Sequence, residues 1–166
     1  MKTNIVLTGM PGAGKSTVGV LLAKITAKEF IDTDILIQTR AGKPLQTILD
    51  ESGYLNLRRI EESVLLTLAV TDHVIATGGS VVYSDAGMRH LSGHGTVVFL
   101  DVPLDEVRRR VHDFSTRGIA CDPAMTLDDL YAERRPLYLR YADIIIPCGA
   151  MTHDAVAAAV IAASGH

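Results

Sequence analysis

A glycine-rich stretch that ends in a lysine and a hydroxyl residue lies near the start of the chain. It reads LTGMPGAGKSTVG, residues 7–19, and follows the pattern G-x-x-x-x-G-K-S. In a phosphate-binding loop of this pattern, backbone N–H groups converge on phosphate oxygens, the lysine reaches the β- and γ-phosphates, and the hydroxyl binds Mg²⁺. A glycine-rich turn without a ligand is the alternative. The predicted nucleotide-binding residues are Gly9, Gly12, Ala13, Gly14, Lys15, Ser16 and Thr17, with Ser16 also at the metal.

The rest of the sequence favours ATP as the nucleotide. It contains no N-K-x-D or T-K-x-D motif that would hold a guanine ring. The run VVFLD, residues 97–101, is similar to the acidic strand of mechanical ATPases, but Val102 and Pro103 stand where a water-activating glutamate is expected. We therefore interpret this run as a core strand.

Two aspartates, Asp32 and Asp34, stand two residues apart at the end of a predicted strand. In extended backbone both side chains point to the same side. Ligands of open parallel sheets bind at the carboxyl ends of the strands, so the pair is expected beside the glycine-rich loop. Asp32 then suits Mg²⁺, and Asp34 suits the hydroxyl of an acceptor, as proton acceptor or orienting partner. Alternatively, Asp34 caps the following helix.

The remaining candidate site residues are arginines in two charged runs and a pair of glycines. Arg58 lies in LRRIEE and Arg134 in ERRPLY; such charged runs are usually solvated helix faces, and anion binding is the alternative. The segment IATGGSVV, residues 75–82, predicts a strand that ends in Gly78 and Gly79. These glycines either let a ligand approach the backbone or form a tight turn into a helix.

The elements that would position these residues alternate along the chain. Apolar runs occur at NIVLT, FID, HVIAT, TVVFL and DIIIP, and helical spacing separates them. This alternation predicts an α/β domain in which helices wrap a parallel sheet. The segment HDFSTRGIACDPAM, residues 112–125, has no clean period and predicts a surface loop that acts as a lid. Helices are predicted at 15–28, 34–40, 45–51, 55–70, 104–111, 126–141 and 153–163.

Length, composition and net charge argue against several classes of function. A length of 166 residues predicts a single domain, 1–166, and the net charge of -3 argues against nucleic-acid binding. Two cysteines without metal-binding spacing fit a reducing cytoplasm. No apolar run is long enough for a membrane span or a signal peptide. We expect an untargeted cytoplasmic protein that is a monomer or a weak dimer.

The order of these motifs resembles that of the shikimate kinase family. GMPGAGKS, DTD, LRRIEE, ATGGS, the lid, ERRPLY and YADIII follow one another at close to the family's spacing over nearly the whole chain. The resemblance implies a three-layer α/β/α fold with a five-stranded parallel sheet, the P-loop NTPase architecture of nucleoside monophosphate kinases. It also implies ATP as co-substrate and Mg²⁺ as cofactor.

The resemblance assigns roles to individual residues. Asp32 would contact Mg²⁺ through water, Asp34 would hold the acceptor hydroxyls, and Arg117 would be a catalytic arginine of the lid. Arg110 would contact adenine, and Glu61 would orient Arg58. The substrate-binding residues would be Asp34, Arg58, Gly78, Gly79 and Arg134, with the two arginines clamping a carboxylate.

The chain departs from the family pattern where the acceptor is enclosed. Leu57 replaces a phenylalanine, Ser80 replaces the third of three glycines, and residues 118–120 read GIA where the family has PLL. We predict an ATP-dependent kinase that phosphorylates a hydroxyl of a small carboxylated metabolite, first of all shikimate, as in aromatic amino-acid biosynthesis. The alternatives are the same fold with homoserine or a sugar acid as acceptor, or an ATP-binding module without catalysis.

Overall fold

The structure, a computed structural model, describes residues 1–165. Within them the chain forms five strands and eight α-helices. The strands are β1 Asn4–Thr8, β2 Glu29–Asp32, β3 His73–Ala76, β4 Gly95–Asp101 and β5 Ile144–Pro147. The helices are α1 Lys15–Thr26, α2 Thr33–Ala41, α3 Leu45–Ser52, α4 Tyr54–Leu66, α5 Asp85–His94, α6 Leu104–Arg110, α7 Leu127–Tyr141 and α8 His153–Ser164.

All strand pairs are parallel, in the order β2-β3-β1-β4-β5. β1 is central and buried along its whole length, with Ile5 paired to Val74 on one side and to Thr96 on the other. The later strands lie on both sides of β1, with β3 and β2 on one side and β4 and β5 on the other. A crevice therefore opens at the carboxyl end of β1. The glycine-rich loop begins in this crevice. The predicted three-layer architecture with a five-stranded parallel sheet is confirmed.

The predicted strands and helices are present, with shifted ends. α1 ends at Thr26 instead of residue 28 because Ala27 adopts a left-handed conformation with φ 54°. α4 ends at Leu66, four residues before the predicted end. Helix α5 was not predicted, because its two glycines, Gly87 and Gly93, weaken the helical signal. No helix within residues 1–165 combines the length and apolar character that a membrane span requires.

The predicted lid, residues 112–125, is not entirely a surface loop. It contains a 3-10 turn at Phe114–Thr116, and the segment 118–121 that follows is buried. Ala120 packs into a small apolar cluster that is separate from the main core, and this contact draws the lid inward. The cluster consists of Ile37, Ile48, Leu57, Val64 and Ala120.

Candidate active site

The glycine-rich loop has the conformation of a phosphate cradle. Gly12 and Gly14 have φ values of 78° and 90°, which residues with a Cβ rarely adopt. Lys15, the first residue of α1, is buried and turns back over the loop, where its Nζ donates to the carbonyls of Gly9 at 2.7 Å and Met10 at 2.8 Å. Burial lowers the pKa of Lys15 to about 8. An anionic ligand in the loop would favour the charged form of this lysine.

Ser16 and Asp32 bring two hard oxygen donors together beside this loop. The hydroxyl of Ser16 donates to Oδ2 of Asp32 at 2.5 Å. Oδ1 of Asp32 accepts from the backbone N–H groups of Asp34 and Ile35, so Asp32 caps α2 and the alternative role of Asp34 as the cap is wrong. Residues 1–165 hold no cluster of three or more metal-ligating His, Cys, Asp or Glu side chains. One hydroxyl and one carboxylate nevertheless suit Mg²⁺, which usually keeps several waters and binds substrate phosphates.

A cavity of about 630 Å³ lies at the carboxyl end of the sheet and brings most of the predicted site residues together. Of the predicted set, Gly9, Ala13, Asp32 and Arg58 do not line it. Ala13 is buried and donates its N–H to the carbonyl of Met10 at 3.0 Å, within the loop itself. The predicted residues that line the cavity are Gly12, Gly14, Lys15, Ser16, Thr17, Asp34, Gly78, Gly79, Arg110, Arg117 and Arg134.

Asp34 faces this cavity from the first turn of α2. Burial, followed by the negative charge of Asp32, raises the pKa of Asp34 to about 6, while Lys15 and Arg134 oppose the rise. A carboxyl with this pKa is ionised at neutral pH and is a better proton acceptor than an ordinary aspartate. It can therefore take up or orient the proton of an alcohol.

Glu61 of α4 is buried beside Asp34 and is held by a hydroxyl. Ser80 donates to Oε2 of Glu61, and Oε1 finds no hydrogen-bond partner within the described residues. Burial and the charge of Asp34 raise the pKa of Glu61 to about 7. The expected orientation of Arg58 by Glu61 is wrong in this structure, because no ion pair joins the two among residues 1–165 and Ser80 is the partner instead.

Gly78 and Gly79 leave room for charged side chains. A Cβ on Gly78 would collide with carboxylate oxygens of Glu61 and Asp34, and one on Gly79 would lie 2.7 Å from Nη1 of Arg134. The N–H of Gly78 donates to Oγ1 of Thr33 at 3.1 Å, so this group is already paired. The glycine pair thus serves close approach, and it also leads directly into a 3-10 turn, as the alternative interpretation expected.

Arg58 and Arg134 converge on one oxygen atom from two helices. Nε and Nη2 of Arg58 donate to the carbonyl of Ala120 at 3.2 and 3.0 Å, and Nη2 of Arg134 donates to the same carbonyl at 3.1 Å. The Arg58 guanidinium also stacks on the ring of Tyr83, 3.7 Å from its centroid. Arg134 is 1% exposed, so the interpretation as part of a solvated face is wrong for this residue, whereas Glu133 beside it is exposed. Arg58 lies in an adjoining depression that shares Glu61 with the main cavity.

Arg110 and Arg117 lie at the end of the cavity beside the glycine-rich loop. Arg110 donates through Nη1 to the carbonyl of Gly12 at 3.2 Å and is held by Glu106. Arg117 is exposed, and its guanidinium would be 3.9 Å from a Cβ on Gly12, over the loop. His153 also lines the cavity, at the start of α8. This histidine was not among the predicted site residues, because no local sequence motif marks it.

Comparison with known proteins identifies the family. The family model "Shikimate kinase" matches residues 11–164. The chain belongs to the shikimate kinase family. A shikimate kinase of Histophilus somni is 39% identical over 150 residues, which cover 88% of this chain and 86% of that protein. One of Mycobacterium avium is 41% identical over 148 residues, 87% of this chain and 83% of the other.

Solved structures agree with this assignment. A shikimate kinase from Acinetobacter baumannii in complex with shikimate matches with a TM-score of 0.89 and 29% identity, covering 99% of this chain and 93% of the other. Thymidylate kinase from Candida albicans matches with a TM-score of 0.61 at 13% identity, which shows the shared fold. The predicted class of the chain, a P-loop kinase of the shikimate kinase family, is confirmed.

Proposed function

We propose that this chain transfers the γ-phosphoryl group of ATP to a hydroxyl of shikimate, with Mg²⁺ as cofactor. One observation carries the proposal: Lys15 of the glycine-rich loop, the ionisable Asp34 and the buried Arg134 line a single cavity. Phosphoryl transfer to a carboxylated alcohol requires a group that binds the phosphates, a group that accepts the proton of the hydroxyl, and a cation that binds the carboxylate. Family membership supports the same reaction.

In this proposal the nucleotide end of the cavity holds ATP. Backbone N–H groups of residues 9–17 bind the phosphates, and Lys15 leaves the carbonyls of Gly9 and Met10 to contact the β- and γ-phosphates. Ser16 and, through water, Asp32 would hold Mg²⁺, which supplies positive charge to the phosphate oxygens when bound. Arg110 would lie near adenine, and Arg117 would place its charge over the transferred group.

The acceptor end would hold the hydroxy acid. Asp34 would orient the attacking hydroxyl and accept its proton, since its carboxylate faces the cavity and its pKa suits that role. Arg58 and Arg134 would bind the carboxylate, for which two guanidinium groups from separate helices are well placed. Gly78 and Gly79 would let the acceptor come close to the backbone.

A coupled ATPase assay over a panel of acceptors tests this proposal. Shikimate, homoserine and several sugar acids are compared at equal concentration, with and without Mg²⁺. We expect shikimate to give the highest kcat/KM and no turnover without the metal. Because Leu57 and Ser80 line the cavity, preference for another hydroxy acid is the second candidate, and a higher kcat/KM for homoserine or a sugar acid would establish it.

Two further expectations remain predictions. We expect a monomer or weak dimer, and light scattering measures the oligomeric state. A cytoplasmic location is supported by two free cysteines, Cys121 and Cys148, in a chain without a disulfide among its described residues.

A further inference from the structure

The buried carboxyl of Glu61 has one oxygen that is held and one that is left alone. Ser80 donates to Oε2, whereas Oε1 has no hydrogen-bond partner within the described residues. Glu61 is 4% exposed, and a buried polar oxygen without a partner costs free energy. A proton on Oε1 would turn this oxygen from an acceptor into a donor.

A group that could accept this proton lies beside Oε1, on the carboxylate of Asp34. Oε1 of Glu61 and Oδ1 of Asp34 both lie within 2.7 Å of one point, the position that a Cβ on Gly78 would occupy. Two ionised carboxylates at such a separation repel each other, so one of them tends to keep a proton. Among residues 1–165 no salt bridge reaches the Asp34 carboxylate, so no cation fixes its orientation. A proton on Glu61 would relieve the repulsion and orient Asp34 at the same time.

The charges around Glu61 favour the protonated form. Burial and the charge of Asp34 raise the pKa of Glu61 to about 7, against the hydrogen bond from Ser80 and the charges of Arg134 and Arg58. Arg58, three residues before Glu61 on α4, is paired with a backbone carbonyl of the lid instead. The titratable groups that face Glu61 are Asp34, Lys15, Arg58, Arg134 and Tyr138.

We propose that Glu61 is a positioning residue for Asp34: its carboxyl is protonated, accepts from Ser80 at Oε2, and donates from Oε1 to Oδ1 of Asp34. This hydrogen bond fixes the plane of the Asp34 carboxylate and leaves Oδ2 to orient the attacking hydroxyl and accept its proton. The effect on the reaction rests on the proposed function, but the hydrogen bond between the two carboxyls does not.

Carbon NMR of protein labelled at the glutamate carboxyls tests the protonation directly. The Glu61 resonance is the one that is missing in Glu61→Gln. We expect it to show a protonated carboxyl at about pH 6, where ordinary glutamates are ionised, and to titrate near pH 7. In Asp34→Asn the same titration should move to lower pH, because the neighbouring negative charge is gone.

Steady-state kinetics at about pH 7 tests the positioning role. Glu61→Met keeps the length of the side chain but removes the donor, and it should lower kcat about tenfold or more. Glu61→Gln should keep kcat within about twofold, because Ser80 holds the amide oxygen and the amide NH₂ group then donates to Asp34. The KM for the acceptor should change less than about threefold in both variants.

Ser80→Ala tests the group that holds Glu61. Without the hydroxyl the Glu61 carboxyl is free to turn away from Asp34, so kcat should fall about threefold or more. Ser84→Ala is the matched control, because Ser84 donates in the same way to the next residue, Glu62, and does not line the main cavity. Its kcat should equal that of the wild type.

Three results would overturn the proposal. A Glu61 carboxyl that is already ionised at about pH 6 would exclude the donor. A kcat of Glu61→Met close to the wild-type value would remove the positioning role. An acceptor KM raised about tenfold in Glu61→Gln, with kcat retained, would show that Glu61 acts through Arg58 instead. Failure of the proposed function looks different: wild-type protein would not phosphorylate shikimate, while the Glu61 titration would still respond to Asp34→Asn, and the kinetic comparison would use the acceptor that the panel identifies.

Discussion

The buried carboxyl of Glu61 gives a quantitative prediction for folding stability. Its pKa is 4.5 in an unfolded chain and about 7 in the folded protein, because burial and the charge of Asp34 disfavour ionisation. A raised carboxyl pKa leaves stability intact below the unfolded value and removes it as pH rises through the folded one. With about 1.4 kcal/mol for each pH unit, ionisation of Glu61 costs about 2 to 3 kcal/mol between pH 5 and 8.

Glu61→Gln removes this cost, because the amide is neutral at every pH and can still accept the hydrogen bond from Ser80. Urea unfolding followed by circular dichroism at about pH 5 and about pH 8 gives the free energy of unfolding for both proteins. We expect the variant to gain about 2 to 3 kcal/mol relative to the wild type between these values. Subtracting the wild-type free energy of unfolding from that of the variant at each pH removes the contribution of the titratable groups that both proteins share.

Glu62→Gln is the matched control for removing a negative charge from α4. Glu62 follows Glu61 directly and also accepts a hydrogen bond from a serine, Ser84, but its side chain is more exposed. The gain of Glu61→Gln should clearly exceed that of Glu62→Gln at the higher pH. If the wild type and Glu61→Gln respond in parallel to pH, Glu61 is not the buried acid that the structure indicates.

Four substitutions test the catalytic assignments by steady-state kinetics. Lys15→Ala should lower kcat about 10³-fold through the loss of charge at the phosphates, and a loss below about tenfold would contradict its role. Asp34→Asn should lower kcat about 10³-fold, and wild-type turnover should fall as pH drops through about 6, where protonation of Asp34 removes the proton acceptor; an acid limb retained in the variant would refute this origin. Arg58→Ala should raise the acceptor KM about tenfold or more, whereas Arg59→Ala, the neighbouring exposed arginine of the same helix, should not. Arg117→Ala should lower kcat about tenfold with little change in KM, and an unchanged kcat would remove the lid arginine from catalysis.

Features that depend on contiguous residues were readable in the sequence. The glycine-rich loop is one: its glycines permit the positive φ values, and the helix that starts at Lys15 directs its N–H groups toward the same point. Alternating apolar runs similarly predicted the five strands and their parallel direction, because both follow from local periodicity and from the helices that connect the strands. The pairing of Asp32 with Asp34 belongs here too, although only the coordinates show which of them caps α2.

Hydrogen-bond partners that are distant along the chain depend on the tertiary structure. The resemblance to the family implied Glu61 as the partner of Arg58, but in the folded chain Ser80 donates to Glu61 and Arg58 donates to the Ala120 carbonyl, 62 residues away. A buried polar group takes whichever partner the packed elements bring within reach, because leaving it unpaired costs more than the choice among partners. That choice depends on where the lid docks, and the lid docks on apolar side chains from three helices that no local pattern brings together.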